Sequence, residues 1–240
     1  GEPIVVVRDR QGVLRAFYNV CRHRAGPVAV GCGSRQTLTC RYHGWTYSLS
    51  GALRNTPEFE GVACFQMEDF GLRPIAVDVF GPMVFVNLSE APIPLAQVID
   101  GIPQATARFS LSKLRLCLRK DYEVACNWKV YIDNYLEGYH IPIVHQALYK
   151  EIEYSEYRVQ TARYYSSQHA PLRKRSDTPG SERPYAGTSD DAEALYFWVF
   201  PNWMLNVYPD NLQSNVVIPL AVDRTLVVFE WFMLTDGAMV

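Results

Sequence analysis

The sequence predicts an α+β protein in two parts: a small all-β domain over residues 1–91, then a domain over 92–240 in which a helix packs on an antiparallel sheet. Three observations predict it. Residues 1–91 read as short β-branched and aromatic runs broken by Gly- and Pro-containing turns. The segment Ala91-Pro92-Ile93-Pro94 separates that texture from the next. Beyond it, one stretch of helical periodicity precedes four strand candidates in series.

In the first domain, Ile4-Val5-Val6-Val7 and Leu14-Arg15-Ala16-Phe17 flank Asp9-Arg10-Gln11-Gly12, with Gly in a hairpin position. Thr37-Leu38-Thr39, Trp45-Thr46-Tyr47 and Met83-Val84-Phe85-Val86 are further strands. Ser50-Gly51 and Gly81-Pro82 turn the chain between them. In the second domain, residues 95–109 suit a surface helix and 113–126 a strand. Residues 127–139 carry Trp128, Tyr131, Ile132, Tyr135 and Tyr139 at helical spacing, with Asn127 as N-cap and Pro142 ending or kinking the helix. Residues 171–193, rich in Ser, Asp, Gly, Pro and charge, read as an exposed loop. Residues 194–200, 203–208, 213–219 and 225–234 are the four strands. There is no internal repeat and no low-complexity tract.

Bulk composition narrows the function. Hydrophobic content of 48% and charged content of 20% are those of a globular chain, and a net charge of -2 gives no case for nucleic acid as a partner. No apolar run approaches the ~18 residues of a membrane span. With no secretory leader pattern either, a cytoplasmic protein is expected. Gly1 opens directly into a strand-like run and Val240 closely follows another, so a fragment of a longer protein is expected. Of the six cysteines, Cys21 and Cys40 suit thiolate ligands, and Cys32, Cys64, Cys117 and Cys126 are expected to pack as small hydrophobes.

Four of the five histidines fall into two constellations. The first is Cys21-Arg22-His23 with Cys40-Arg41-Tyr42-His43. One thiolate and one imidazole from each of two loops suit a 2Fe–2S centre in which imidazoles replace two thiolates on one iron. A Cys2His2 zinc site has the same ligand count, although Cys-x-His is an unusual spacing for structural zinc. The second constellation is Glu137, His140 and His145. Two imidazoles near a carboxylate suit a mononuclear Fe(II) site that activates O2. Glu137 and His140, three apart, share a helical face, and Pro142 must redirect the chain for His145 to join them. A plain His–Glu pair near a helix end is the alternative. Tyr196, Trp198, Phe200, Trp203 and Tyr208 form either sheet core or a cage for a small-molecule cation. His169 reads as solvated at the start of the polar loop. No Gly-x-Gly-x-x-Gly fingerprint occurs, so NAD(P)H would be oxidised on a separate reductase.

The run from Asn19 to Leu53 resembles the Rieske domain of Rieske non-heme iron oxygenase large (α) subunits. It does so on Cys21-Arg22-His23-Arg24, Gly31-Cys32-Gly33 and Cys40-Arg41-Tyr42-His43-Gly44-Trp45. Asn127-Trp128-Lys129 with Glu137 to His145 is similar to the catalytic domain of the same family. The resemblance implies a helix-grip catalytic domain, an antiparallel sheet with a long helix. It implies that Cys21, His23, Cys40 and His43 hold the cluster and that His140 and His145 hold the iron. Glu137 would bridge His140 to His43 of a neighbouring protomer in a homotrimer with inter-subunit electron transfer. Asn134 lies close to the family's active-site Asn. The third ligand, a carboxylate, is expected beyond Val240 rather than at Glu230 or Asp236. Tyr at position 42, with no Cys close after His23, departs from the respiratory type and implies a lower-potential cluster.

A reductase, with or without a ferredoxin, would supply the electrons. Glu137, where many ring-hydroxylating members have Asp, is similar to the branch acting on amines such as choline and carnitine. So are Phe197 to Met204, Asn206-Val207-Tyr208 and Val217 to Leu220. That places Trp198, Phe200, Trp203 and Tyr208 at an expected substrate pocket, for hydroxylation or N-demethylation of a quaternary amine. Two alternatives stand beside it: an aromatic-ring cis-dihydroxylating dioxygenase, and a Rieske electron carrier without oxygenase activity.

Overall fold

Strands β1 (Ile4–Arg8) and β2 (Leu14–Tyr18) pair antiparallel across a turn organised by one carboxylate. Asp9 accepts the Gln11 and Val13 N–H groups and the Arg15 guanidinium, while Gly12 takes φ +81°. The structure, a computed structural model, describes residues 1–173 and 192–234. It divides into two compact units, Gly1–Ile93 and Pro94–Val240.

In the first unit, β3 (Thr37–Thr39), β4 (Thr46–Ser48) and β5 (Leu53–Asn55) form a small sheet. β6 (Pro74–Phe80) and β7 (Met83–Asn87) complete a second one, ordered β1-β2-β6-β7. Phe17, Leu38, Trp45, Tyr47, Leu53 and Leu72 make the core, and Cys21 and Cys40 are buried among them. Gly51 closes the turn between β4 and β5 at φ +90°. A Cβ there would sit 2.5 Å from Phe17 Cε1, so the turn is Gly for both backbone and packing reasons.

In the second unit, the expected surface helix over 95–109 is broken into α1 (Leu95–Val98) and α2 (Ile102–Thr106). Gly101 is left-handed between them and Pro103 lies in the first turn of α2, so the first helix stops and a second starts. β8 (Leu114–Val124) then leads to α3 (Trp128–Tyr135), whose N-cap Asn127 accepts the Lys129 N–H at 3.1 Å. α3 is shorter than the helix expected over 127–139. Pro142 opens α4 (Ile141–Val144) rather than ending a helix, since proline suits a first turn. α5 (Gln146–Glu151) follows.

The remaining strands are β9 (Arg158–Thr161), β10 (Tyr165–Pro171), β11 (Glu193–Val199), β12 (Trp203–Val207), β13 (Asn211–Ala221) and β14 (Arg224–Leu234). They form one antiparallel sheet ordered β8-β14-β13-β12-β11-β10-β9. α3 lies on this sheet through Ile132, packed with Met204, Val217 and Val227.

The structure departs from the sequence reading at several smaller points. Most of the expected loop over 171–193 lies outside the described residues. His169 stands in β10 with Nδ1 3.8 Å from Glu193 Oε2, and is not simply solvated. Cys32, Cys64 and Cys117 are exposed and Cys126 half-buried, so these four are not core residues. Cys32 lies in a glycine-flanked loop, and Cys117 on the end strand β8, which is exposed along most of its length. Among the described residues no helix is long and apolar enough to cross a membrane.

The Gly51 contact makes the first unit sensitive to a single methyl group. Gly51→Ala should lower its unfolding free energy by about 2 kcal/mol or more, from overpacking plus left-handed strain. A urea midpoint equal to that of the wild type would contradict this.

Candidate metal centres

Cys21 follows β2 and Cys40 follows β3, and the two loops share one hydrogen-bond pattern. Cys21 N–H donates to Gly26 O at 2.8 Å, and Ala25 N–H donates to Cys21 O at 3.0 Å. Likewise Cys40 N–H donates to Trp45 O at 2.9 Å, and Gly44 N–H to Cys40 O at 3.0 Å. In each loop the fourth residue after Cys is left-handed, Ala25 at φ +58° and Gly44 at φ +74°. Glycine adopts that region freely, whereas Ala25 carries backbone strain.

Both thiols are buried, and the His23 and His43 rings lie 4.6 Å apart, centroid to centroid. His23 also stacks on Trp45 at 4.8 Å. A Cβ at Gly26 would lie 2.9 Å from Cys40 Sγ, so the opposing loop closes directly over that sulfur. Tyr47 Oη accepts the Arg22 N–H at 3.0 Å and sits 3.3 Å from Cys21 Sγ. Burial, then the contact with Cys21, pushes the Tyr47 phenol far up, so its proton stays in place to donate to the sulfur.

His23 Nδ1 is buried with no hydrogen-bond partner. Burial first, then neighbouring His43 and Arg24, holds this imidazole below its usual range and therefore neutral, the ligating form. Two buried free thiols beside an orphaned neutral ring nitrogen fit a 2Fe–2S cluster with two ligands on each iron. Among the described residues no three His, Cys, Asp or Glu side chains gather as a single-ion site, and that ligand division does not require one.

The second site is built where α3 gives out. Gly138 lets the Tyr157 ring pack where a side chain would be, since a Cβ at 138 would lie 2.6 Å from Tyr157 Cε1. Glu137 and His140, expected on one helical face, meet instead across the turn this makes. Glu137 Oε2 accepts the backbone N–H groups of Tyr139 and, at 3.2 Å, His140. Its Oε1 lies 2.5 Å from His140 Nδ1. Burial works to raise the Glu137 carboxyl, but the His140 ring and the two backbone donors together outweigh it and hold it below the usual carboxylate range. His145, at the junction of α4 and α5, brings its ring to 5.0 Å from that of His140 at 70°. With Nδ1 of His140 engaged by Glu137, Nε2 is the nitrogen left for a metal.

Glu137, His140 and His145 line a cavity of about 690 Å³, and Asn134 lines it with them. Tyr131, Tyr135, Tyr157, Tyr196, Tyr208 and Phe229 supply most of its aromatic wall. Tyr135 Oη donates to Asn206 Oδ1 at 2.6 Å, Tyr157 Oη donates to Gln168 Oε1, and Gln168 Nε2 donates to Tyr135 O at 2.5 Å. Burial pushes the phenols of Tyr135, Tyr157 and Tyr208 up, so the wall carries neutral rings.

Of the four residues expected at a substrate pocket, Tyr208 lines this cavity and Trp198, Phe200 and Trp203 do not. Strand parity explains Trp203 alone. Met204 faces α3, so Trp203 faces the other way and donates its indole N–H to Ser214 Oγ at 2.9 Å. Trp198 packs against the Ile132 cluster, and Phe200 lies past the end of β11, exposed. Glu230, next to Phe229 on β14, takes the opposite face and lies 3.8 Å from Arg119. Asp236 is outside the described residues. Sequence reasoning missed Tyr131, Tyr135, Tyr157, Gln168, Asn206 and Asn215 as cavity residues. The available signal was polar residues at inward parity in β12 and β13, flanked by apolar ones.

Residues 111–239 match the family described as ring hydroxylating alpha subunit (catalytic domain), and residues 1–66 match the Rieske [2Fe-2S] domain. The chloroplastic choline monooxygenase of Arabidopsis thaliana is 34% identical over 241 residues, covering 95% of this chain and 56% of that protein. The carnitine monooxygenase oxygenase subunit of Acinetobacter pittii is 32% identical over 231 residues, covering 93% and 60%. A solved structure of a quaternary ammonium Rieske monooxygenase superposes with a TM-score of 0.83 at 27% identity, over 100% of this chain and 65% of that one. The chain therefore spans little more than half the length of the curated relatives it matches.

The carboxylate that orients His140 should matter to metal affinity. Glu137→Ala should weaken Fe(II) or Co(II) binding at the second site about 10- to 100-fold in equilibrium titration. Undiminished affinity would show that His140 needs no such support.

Proposed function

This chain belongs to the ring hydroxylating alpha subunit family and carries a Rieske [2Fe-2S] domain, and on that premise we propose that it is the oxygenase component of an O2-dependent amine hydroxylase. The observation that carries the reading is the Glu137–His140 contact at 2.5 Å, beside His145 on a tyrosine-walled cavity. An electron carrier would have no use for that arrangement.

Cys21 and Cys40 would hold one iron of the cluster through their thiolates, and His23 and His43 the other. His140, through Nε2, and His145 would hold a mononuclear Fe(II), with a carboxylate outside these 240 residues as third ligand. When bound, the cluster supplies single electrons and the ferrous iron activates O2. The net reaction adds one oxygen atom of O2 to a substrate methyl group. The other leaves as water with two electrons and two protons, the electrons coming from NAD(P)H through a separate reductase. Hydroxylation of an N-methyl group releases formaldehyde, which is N-demethylation.

Glu137 keeps the Nδ1 proton of His140 and is itself fixed by two backbone N–H groups, so the pair presents one orientation. Its side chain is 44% exposed, which leaves it reachable from outside the unit. Around it Tyr139, Ile143 and Val144 are exposed apolar residues, and in the first unit Tyr42 is exposed against the His43 ring at 3.9 Å. Such surfaces suit docking of a second copy, with Glu137 bridging to His43 of the partner subunit in a trimer.

The aromatic wall suits a quaternary ammonium, which offers no N–H to pair and is held by ring faces. Among the described residues no Lys or Arg lines the cavity. The relatives named for choline and carnitine support the same class.

Metal analysis tests the whole reading: about three irons and two acid-labile sulfides per chain are expected. Zinc without sulfide would end it. Glu137→Gln should leave both centres loaded while sharply slowing single-turnover oxidation. An unchanged single-turnover rate would remove Glu137 from the electron path.

A further inference from the structure

Three amide side chains are buried in the sheet wall of the cavity: Gln168, Asn206 and Asn215, at 4%, 8% and 3% exposure. Two are engaged within the protein. Gln168 accepts from Tyr157 and donates to Tyr135 O, and Asn206 accepts from Tyr135 and donates to Gln213 at 3.5 Å. Asn215 differs. Its Oδ1 is buried without any hydrogen-bond partner in the protein. The residue stands opposite Met204 of β12 and Phe229 of β14, on the face that carries α3. Buried amide oxygens are seldom left unpaired, because the lost solvation is not recovered. An orphaned acceptor in a ligand-sized cavity is a place for a donor that arrives with the ligand.

The rest of the wall says what that donor is attached to. Glu137 has both oxygens committed, to His140 Nδ1 and to two backbone N–H groups. With no Lys or Arg in the described lining, a carboxylated substrate finds no countercharge there, whereas the tyrosine faces accept a methylated cation. Resting on the amine reading above, we propose that Asn215 is the specificity-determining residue of this cavity. Its amide oxygen accepts the hydroxyl proton of an N-methylated amino alcohol whose cationic end lies against the tyrosine rings. A site that hydrogen-bonds a substrate hydroxyl rejects the analogue lacking it, because the buried acceptor is then stranded again.

Calorimetric titration of the metal-loaded protein with choline and with ethyltrimethylammonium, which lacks only the hydroxyl, tests this by binding alone. The wild type should bind choline about tenfold more tightly, the scale of one hydrogen bond. Asn215→Leu should erase that gap, and Asn215→Asp, which keeps an acceptor, should retain it. Loss of the gap in both variants, or in neither, overturns the proposal. The ligand pair on the wild type decides the matter even where Asn215→Leu does not fold. Equal affinities there overturn the role of Asn215 and leave the amine reading standing. Failure of both ligands to bind the wild type overturns the two together.

Discussion

The turn held by the Glu137 carboxylate is the constraint on which the second unit's chemistry depends. One side chain accepts from two successive backbone N–H groups and engages the His140 ring, so it ends a helix, sets a turn and orients an imidazole at once. Gly138 makes room for it, because Tyr157 occupies the space a side chain would need. With Nδ1 held, Nε2 is the nitrogen of His140 left to ligate a metal. Pro142 then starts a short helix that returns the chain, and His145 comes back beside His140 at its far end.

The first unit solves a related problem by duplication. Two loops with the same pair of backbone hydrogen bonds each present a buried thiol, and they bring the two imidazoles together. The left-handed position is glycine in one loop and Ala25 in the other, so the geometry is kept even where it costs backbone energy. Gly26 is pressed against Cys40 Sγ and Tyr47 Oη lies beside Cys21 Sγ. Both thiols are thereby sheltered, while the partner histidine His43, next to exposed Tyr42, stays nearer the surface.

The cavity shows how a sheet can be both core and binding wall. Toward one end, Met204, Val217 and Val227 hold α3 by apolar packing. Toward the other, Gln168, Tyr196 and Asn206 stand in register on the same face, and tyrosines from the helix and from the position just before β9 bond to them. This polar network fixes the rings at the cost of ordering several amides, and a network so satisfied is rigid. Asn215 stands out because it belongs to the wall yet not to the network.

The sequence by itself marked the candidate ligands and the four C-terminal strands of the second unit. Cys21, His23, Cys40, His43, Glu137, His140 and His145 are legible because metal chemistry demands particular residue types at short spacings. The four C-terminal strands are legible because alternation and turn residues are local. Where the α3 helix stops, and that Glu137 meets His140 through a turn, was not legible, since it depends on a ring from Tyr157 filling the space at Gly138. Trp198, Phe200 and Trp203 do not line this cavity, for three different reasons. Trp203 takes the face opposite to Met204, Phe200 lies past the end of β11, and Trp198, on the same face as Tyr196, packs toward the Ile132 cluster. Aromatic content alone reveals none of these. Only tertiary structure decided that the cavity is lined by Tyr131, Tyr135, Tyr157, Tyr196 and Tyr208. Those residues are distant in sequence, and their convergence follows from sheet register and helix packing, both of which are non-local.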